Sequence, residues 1–273
     1  PGVYYSTNNG TSWLALASAN TAHAGTDNVV QIVSSPNFST DGMFYVLWDD
    51  EVVIQTTNGG AAWCTVTGLP ATPDIRHIAL TPDHNGDTPA GSVFVTFDNN
   101  GATTDVYKST APSTLCTVPG WATADVITGS NLFQGHKIVF HPSYTEGGAV
   151  QEIYLASGLT GTGLYRSANG GTSWASIVGT APNNVNAVGG LLVAPNLLAS
   201  NPVLVVASAG DATNRSGIFV TTNASAATPS WTRRMSGLQS LLFSDIVFSP
   251  TYATDGTFFL ADKGSGVFKT TDR

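Results

Sequence analysis

Positive charge is scarce in this chain: of 273 residues only 10 are Lys or Arg, against 18 Asp or Glu, for a formal net charge of −8. Such a balance repels phosphate backbones and anionic headgroups, so no nucleic-acid partner is expected. No apolar run approaches the roughly 18 residues of a spanning helix, so no membrane span is expected either. Cysteine is limited to Cys64 and Cys116, with no CxxC motif, and the five histidines (His23, His77, His84, His136, His141) show no HxH or HExxH spacing. Neither zinc nor dithiol redox chemistry is therefore legible, and no metal site or cofactor is assigned. Helix-period segments of useful length are missing too, which leaves a nearly all-β chain. It opens at Pro1 within a repeat and without a signal-peptide pattern, so any export signal is expected to lie elsewhere.

What the chain does have is an eight-residue phrase that returns along it. STNNGTSW runs from Ser6 to Trp13, TTNGGAAW from Thr56 to Trp63 and SANGGTSW from Ser167 to Trp174. Looser copies begin at Ser109, Thr221 and Thr270, about 50 to 58 residues apart, and a period of that size marks a repeat architecture. An apolar run precedes each copy and a Trp-led run follows most of them, which reads as a hairpin. The first Ser or Thr (Ser6, Thr56, Ser167) and the Asn two residues on (Asn8, Asn58, Asn169) can bond turn backbone groups. Gly10, Gly60 and Gly171 supply positive φ. Trp13, Trp63 and Trp174 are expected to be largely buried, pinning each turn against a neighbouring sheet.

A second signature lies between the turns. Apolar strands end at Pro36, Pro82, Pro142, Pro195 and Pro250, and each is followed by a polar loop and a further strand such as MFYVLW or SVFVTF. First, second and third strand, turn phrase and fourth strand make one unit, of which the chain holds four complete copies (approximately 28–66, 75–121, 136–177 and 186–234) and partial copies at 1–16 and 243–273. Asp41-Gly42 and Asp255-Gly256 read as hairpin turns.

The turn phrase resembles the Asp-box, or bacterial neuraminidase repeat, with Ser6, Gly10, Ser12 and Trp13 and again Ser167, Gly171, Ser173 and Trp174 at matching positions. Asn stands where that pattern has Asp, which keeps the side-chain acceptor and loses the charge; Asp is retained only at Asp272. The resemblance implies one β-propeller domain over residues 1–273, built of four-stranded antiparallel blades, five to seven in number. It leaves function open, since such propellers include sialidases, other glycosidases, receptors and assembly factors.

First strands line the axis of a propeller, and the loops around one mouth here are acidic. Gln31, Asp49, Asp50, Arg76, His77, His136, Lys137 and Asp245 are the candidate ligand-binding residues on that face, where Ca²⁺ is also a possible ligand. No catalytic residue is assigned. A sialidase needs converging arginines, and its Arg-Ile-Pro signature is absent. A carboxylate-pair glycosidase is the alternative, with Asp74 and Asp245 cast in the two roles. The preferred expectation is a non-catalytic structural, adhesive or ligand-binding propeller of a secreted or cell-surface protein. Its partner would be a protein or glycan, or a larger surface assembly. Cys64 and Cys116, on outer strands one blade apart, are expected to be buried thiols. Because both ends read as a third strand running into a turn phrase, the chain is expected to be part of a longer repeat protein in preference to a ring closed by overlap.

Overall fold

A computed structural model describes residues 2–23, 27–69, 74–84, 91–98, 106–117, 120–123, 137–156, 163–179, 188–193, 204–208, 216–238, 243–262 and 264–271. The Ser-Thr-Asn-Gly turns and the alternating apolar runs produce what their periods dictate. A two-stranded hairpin, β1 (Tyr4–Tyr5) and β2 (Leu14–Ala15), precedes a six-residue helix α1 (Ala17–Ala22). Blade 1 follows with β3 (Val29–Ser34), a one-turn helix α2 (Phe38–Asp41), β4 (Phe44–Trp48), β5 (Val53–Thr56) and β6 (Cys64–Thr65). Blade 2 comprises β7 (Asp74–Leu80), β8 (Val93–Asp98), β9 (Val106–Ser109) and β10 (Trp121–Thr123). Blade 3 comprises β11 (Lys137–Phe140), β12 (Ile153–Ala156), β13 (Leu164–Ser167) and β14 (Ala175–Ser176). Blade 4 has β15 (Val188–Val193), β16 (Leu204–Ser208), β17 (Gly217–Thr221) and β18 (Thr232–Arg234). Blade 5 has β19 (Phe243–Phe248), a one-turn helix α3 (Tyr252–Asp255), β20 (Phe258–Asp262) and β21 (Gly266–Thr270).

The strands of each blade pair antiparallel in sequence order, and the first strands of successive blades pack side by side, so the all-β chain is a β-propeller of five blades. Blades 1 to 4 are four-stranded; among the described residues blade 5 contributes three strands, with β21 at its edge. The strand β2 pairs with β1 and not with β21.

The turn phrases form the same network each time. Ser167 Oγ accepts from the backbone N–H of Asn169 (3.3 Å) and Gly171 (2.9 Å), and Asn169 Oδ1 accepts from Ser173 N–H (2.9 Å). Equivalent bonds tie Ser6, Asn8, Gly10 and Ser12, and Thr56, Asn58, Gly60 and Ala62. In blade 4, Asn223 Oδ1 reaches the longer-looped Ser230 N–H at 3.0 Å. Asn thus supplies the acceptor without charge. Gly171, at φ +92°, is in a backbone region that side-chain-bearing residues rarely adopt. Asp41-Gly42 and Asp255-Gly256 are not hairpin turns. They end α2 and α3, with Gly42 and Gly256 as left-handed caps.

Both faces of a blade are apolar, and each core is shared by two blades: Tyr45, Leu47, Ile78 and Phe97 between blades 1 and 2, Phe94, Ile153 and Tyr165 between blades 2 and 3, Tyr154 and Phe219 between blades 3 and 4. The turn tryptophans lean on the preceding element. Trp121 donates its indole N–H to Thr67 O (3.1 Å) and Trp231 to Ile177 O (2.9 Å). Trp63 and Trp174 are half-buried, less enclosed than the sequence suggests. Trp13 overturns the expectation outright: it is 63% exposed, because among the described residues no blade precedes its hairpin to receive it.

Buried carboxylates stitch neighbouring blades. Glu146 of blade 3 accepts from Lys108 (2.6 Å) and Ser92 (2.7 Å) of blade 2 and from Tyr144 (2.9 Å). Burial alone would raise its carboxyl, but the bonds from Lys108, Ser92 and Tyr144 outweigh that and hold it below the ordinary range. Glu152 repeats the device one interface on, with Arg166, Tyr154 and Ser225 of blade 4.

Cys64 and Cys116 are joined in a disulfide with Cα atoms 5.8 Å apart, which corrects the expectation of two thiols. The reason is the divergent turn of blade 2. Residues 112–114 form a 3-10 turn, so Cys116 sits before β10, back against blade 1 and within 3.6 Å of Gln55 Oε1. Replacing both cysteines by serine is expected to lower unfolding free energy by about 2–4 kcal/mol, the range for a closed loop of this size. The check is a denaturation midpoint in urea, with alkylation of the unreduced, unfolded wild type giving no mass shift.

Candidate functional site

The residues of the expected ligand face fall in two places, and a third place lies apart from them. The first is the axis. Matching each first strand to its partner shows that Gln31 opposes Leu47, His77 opposes Thr96, Lys137 opposes Ala156, Gly190 opposes Ala207 and Asp245 opposes Ala261. These five residues occupy one register position, one per blade. In blades 1, 2, 4 and 5 the register shifts by one residue just before this position, a bulge of the kind found at barrel rims.

Three of these side chains bond to other blades. Gln31 Nε2 donates to Ile78 O (3.0 Å) while its Oε1 accepts from Ile78 N–H (2.8 Å), so the amide imitates a strand and welds blade 1 to blade 2. Lys137 Nζ lies 2.9 Å from Asp245 Oδ1, joining blades 3 and 5 across blade 4, where Gly190 has no side chain to intervene. Asp245 also accepts from Ile246 N–H at 2.9 Å. Arg76 is the exposed bulge residue beside His77. His136 and the side chain of Asp74 lie outside the described residues. Gln31 thus bonds within the interface of blades 1 and 2, and Asp245, its side chain 52% exposed, is paired with Lys137 through one carboxylate oxygen.

The second place is the turn between β4 and β5, which holds Asp49 and Asp50. Hydrogen bonds from the Asn28 side chain (2.8 Å) and backbone (2.7 Å) hold the Asp49 carboxyl below its ordinary range. Asp50 instead approaches His23, 3.3 Å away. These two acids are far from the axial ring in connectivity and belong to the rim of blade 1.

The third place was not foreseen. Between β18 and the edge strand β21 lies a groove of about 570 Å³ floored by Ile218, Phe258, Leu260 and Phe268 and flanked by Arg233, Arg234 and Lys269. Three of the ten Lys and Arg residues of an acidic chain thus converge on one groove. In blades 1 to 4 a fourth strand, preceded or led by a Trp, lies beside the third. In blade 5 that position opens onto the groove. The apolar strand GVFK with Lys269 was legible in the sequence, but Arg233 and Arg234 come from blade 4 and only folding brings them to the groove.

No protein-family model and no curated protein sequence matches the chain. Solved structures match it in fold. It is similar to the GH74 xyloglucanase of Xanthomonas campestris, at 17% identity and a TM-score of 0.62 over 96% of this chain and 40% of that one. It is similar to PorZ, a bacterial surface component of the type-IX secretion system of Porphyromonas gingivalis, at 14% identity and 0.60 over 97% and 36%. YCF48 bound to D1 peptide matches at 13% identity and 0.53 over 90% and 66%. The chain spans less than half the length of the first two. At these identities the likeness is one of fold, and the same propeller serves a hydrolase, a secretion-system component and a peptide-bound protein.

The axial residues separate by what they hold. Gln31→Ala is expected to cost about 1–3 kcal/mol, because it strands the buried N–H and C=O of Ile78. Asp245→Asn breaks a solvent-screened pair and is expected to cost under about 1 kcal/mol. Urea midpoints of the two variants check the order, and a larger loss for Asp245→Asn would refute this division of roles.

Proposed function

We propose that the chain is a non-catalytic binding propeller of a secreted or cell-surface protein, and that it grips a protein partner by accepting an extended strand at the edge of blade 5. The observation that carries this is the groove beside β21. Its apolar floor beside β21 offers room for a large side chain, and its rim of Arg233, Arg234 and Lys269 favours an acidic partner. In the complete blades a Trp of the fourth strand fills the corresponding socket against the preceding blade, as Trp231 does on Ile177. A strand with an aromatic residue at its start therefore fits the vacancy.

The extracellular part of the reading is supported by the Cys64–Cys116 bridge, since disulfides persist in oxidising compartments. It also draws on the Asp-box resemblance of the turn sequences, whose Ser and Asn accept from the turn backbone here. The non-catalytic part is supported by the engagement of Asp245 with Lys137. The glycosidase reading predicts something different at that same residue. Glycan recognition would show on a glycan array, where the strand-acceptor reading predicts no signal that depends on the groove.

The test uses a synthetic peptide with the sequence of residues 170–179, a Trp-led fourth strand of this chain. Binding is expected by calorimetry, to be lost when the peptide Trp is replaced by Ala, and to weaken at least about tenfold in Phe268→Lys. No release of sugar from xyloglucan is expected. Turnover that disappears in Asp245→Asn would establish the glycosidase alternative in its place.

A further inference from the structure

Three metal-ligating side chains meet at the outer rim of blade 1, where the sequence shows no metal motif. His23 caps the C-terminal end of α1, Asp27 follows four residues later, and Asp50 stands in the turn between β4 and β5. His23 Nε2 is 3.4 Å from Asp27 Oδ2 and 3.3 Å from Asp50 Oδ2, and the ligand atoms of all three lie within 4.8 Å of one another. Two ligands held about 2.0–2.2 Å from a tetrahedral first-row ion are about 3.3–3.6 Å apart, so the spacing suits edges of such a shell.

A second observation separates this cluster from a chance gathering of acids. His23 Nε2 is sealed from solvent, with the side chain 13% exposed, yet it hydrogen-bonds to neither flanking oxygen. Both carboxylates come within ion-pair distance of this nitrogen, yet neither makes a hydrogen bond with it. The imidazole is also held in place, its ring 4.7 Å from that of buried Trp48. A fixed ring presenting a buried, unbonded nitrogen between two carboxylate oxygens is arranged to give a lone pair to a cation. Asp49 stays out of the group because Asn28 already holds both of its oxygens.

We infer that His23, Asp27 and Asp50 form a divalent-cation site of zinc type, with water completing the shell on the exposed side of the two aspartates. One imidazole nitrogen with two carboxylates suits Zn²⁺ and its first-row neighbours, whereas Ca²⁺ takes shells made of oxygen. The role is mechanical. The N-terminal segment covers one face of blade 1 through Val3, Leu16 and Ala19, packed on Val46, Trp48 and Ile54. Its tether beyond α1 carries His23 and Asp27, and Asp50 belongs to the blade itself. A bound ion fastens the cover to the sheet.

The test is calorimetric titration of tag-free, EDTA-stripped protein with ZnCl₂, followed by CoCl₂ with visible spectra. One ion per chain is expected, with a rise in melting temperature and a Co²⁺ band of four-coordinate intensity. His23→Gln and Asp50→Asn should each weaken Zn²⁺ binding by at least about tenfold, and Asp49→Asn should leave it within about threefold of wild type. If His23→Gln does not fold, Asp50→Asn carries the same comparison. No Zn²⁺ binding by the wild type, equal binding by His23→Gln, equal loss in Asp49→Asn, or tighter binding of CaCl₂ than of ZnCl₂ would each overturn the site.

Discussion

Each blade of this molecule is a small sheet with two apolar faces, and a sheet of three or four short strands is not stable alone. Every core is accordingly shared between neighbours, and the rest of the structure follows from that need for a partner on both sides. The tryptophans cross from one blade to the one before. Lys108 reaches from blade 2 to the Glu146 carboxylate and to Gly170 O of blade 3, over the ring of Phe94. Gln31 grasps the backbone of Ile78 as a strand would. Among the described residues the constraint is unmet in three places, and apolar side chains show there: Tyr4, Trp13 and Leu14 on the N-terminal hairpin, Val30 and Ile32 on blade 1, and Val247, Phe259 and Val267 on blade 5. Val267 is 74% exposed although the pattern of its strand matches the buried third strands of other blades.

The same constraint explains why binding potential gathers at the ends of the arc. Inner blades spend their faces on each other. The axial residues are drawn into the frame, by Gln31 in one interface and by the Lys137–Asp245 pair across another. Blade 5 keeps a strand edge and a socket, and blade 1 keeps a rim at which α1, its tether and a tight turn converge. Glu51, in the left-handed region at φ +72°, makes that turn sharp enough to put Asp50 beside His23.

Sequence reading succeeded where one residue type does one local job. Ser, Asn and Gly at fixed offsets gave the turn, alternating apolar runs gave the strands, and a repeat of about fifty residues gave the blades. It failed where the outcome depended on which blade a side chain meets. Trp13 has the same local sequence as Trp174 but no blade to lean on. Cys116 was assigned to a strand because blade 2 was assumed to follow the common turn, whereas Pro112–Thr114 reroutes it toward Cys64. The bond from Gln31 to Ile78 was not legible because its partner, a main-chain amide 47 positions away, has no sequence signature. His23 and Asp27 stand at helical i, i+4 spacing, a signal that was visible, but Asp50 comes from another element.

The central claim is that β21 accepts a partner's strand along the groove it borders. Hydrogen–deuterium exchange of the protein alone tests it most directly. The amides of β21 that face away from β20 are expected to exchange within seconds, at rates near those of unstructured peptide, while those of β12 and β16 in complete blades stay protected for hours. Slow exchange along the whole of Gly266–Thr270 would mean that the edge is already paired, and would contradict the account.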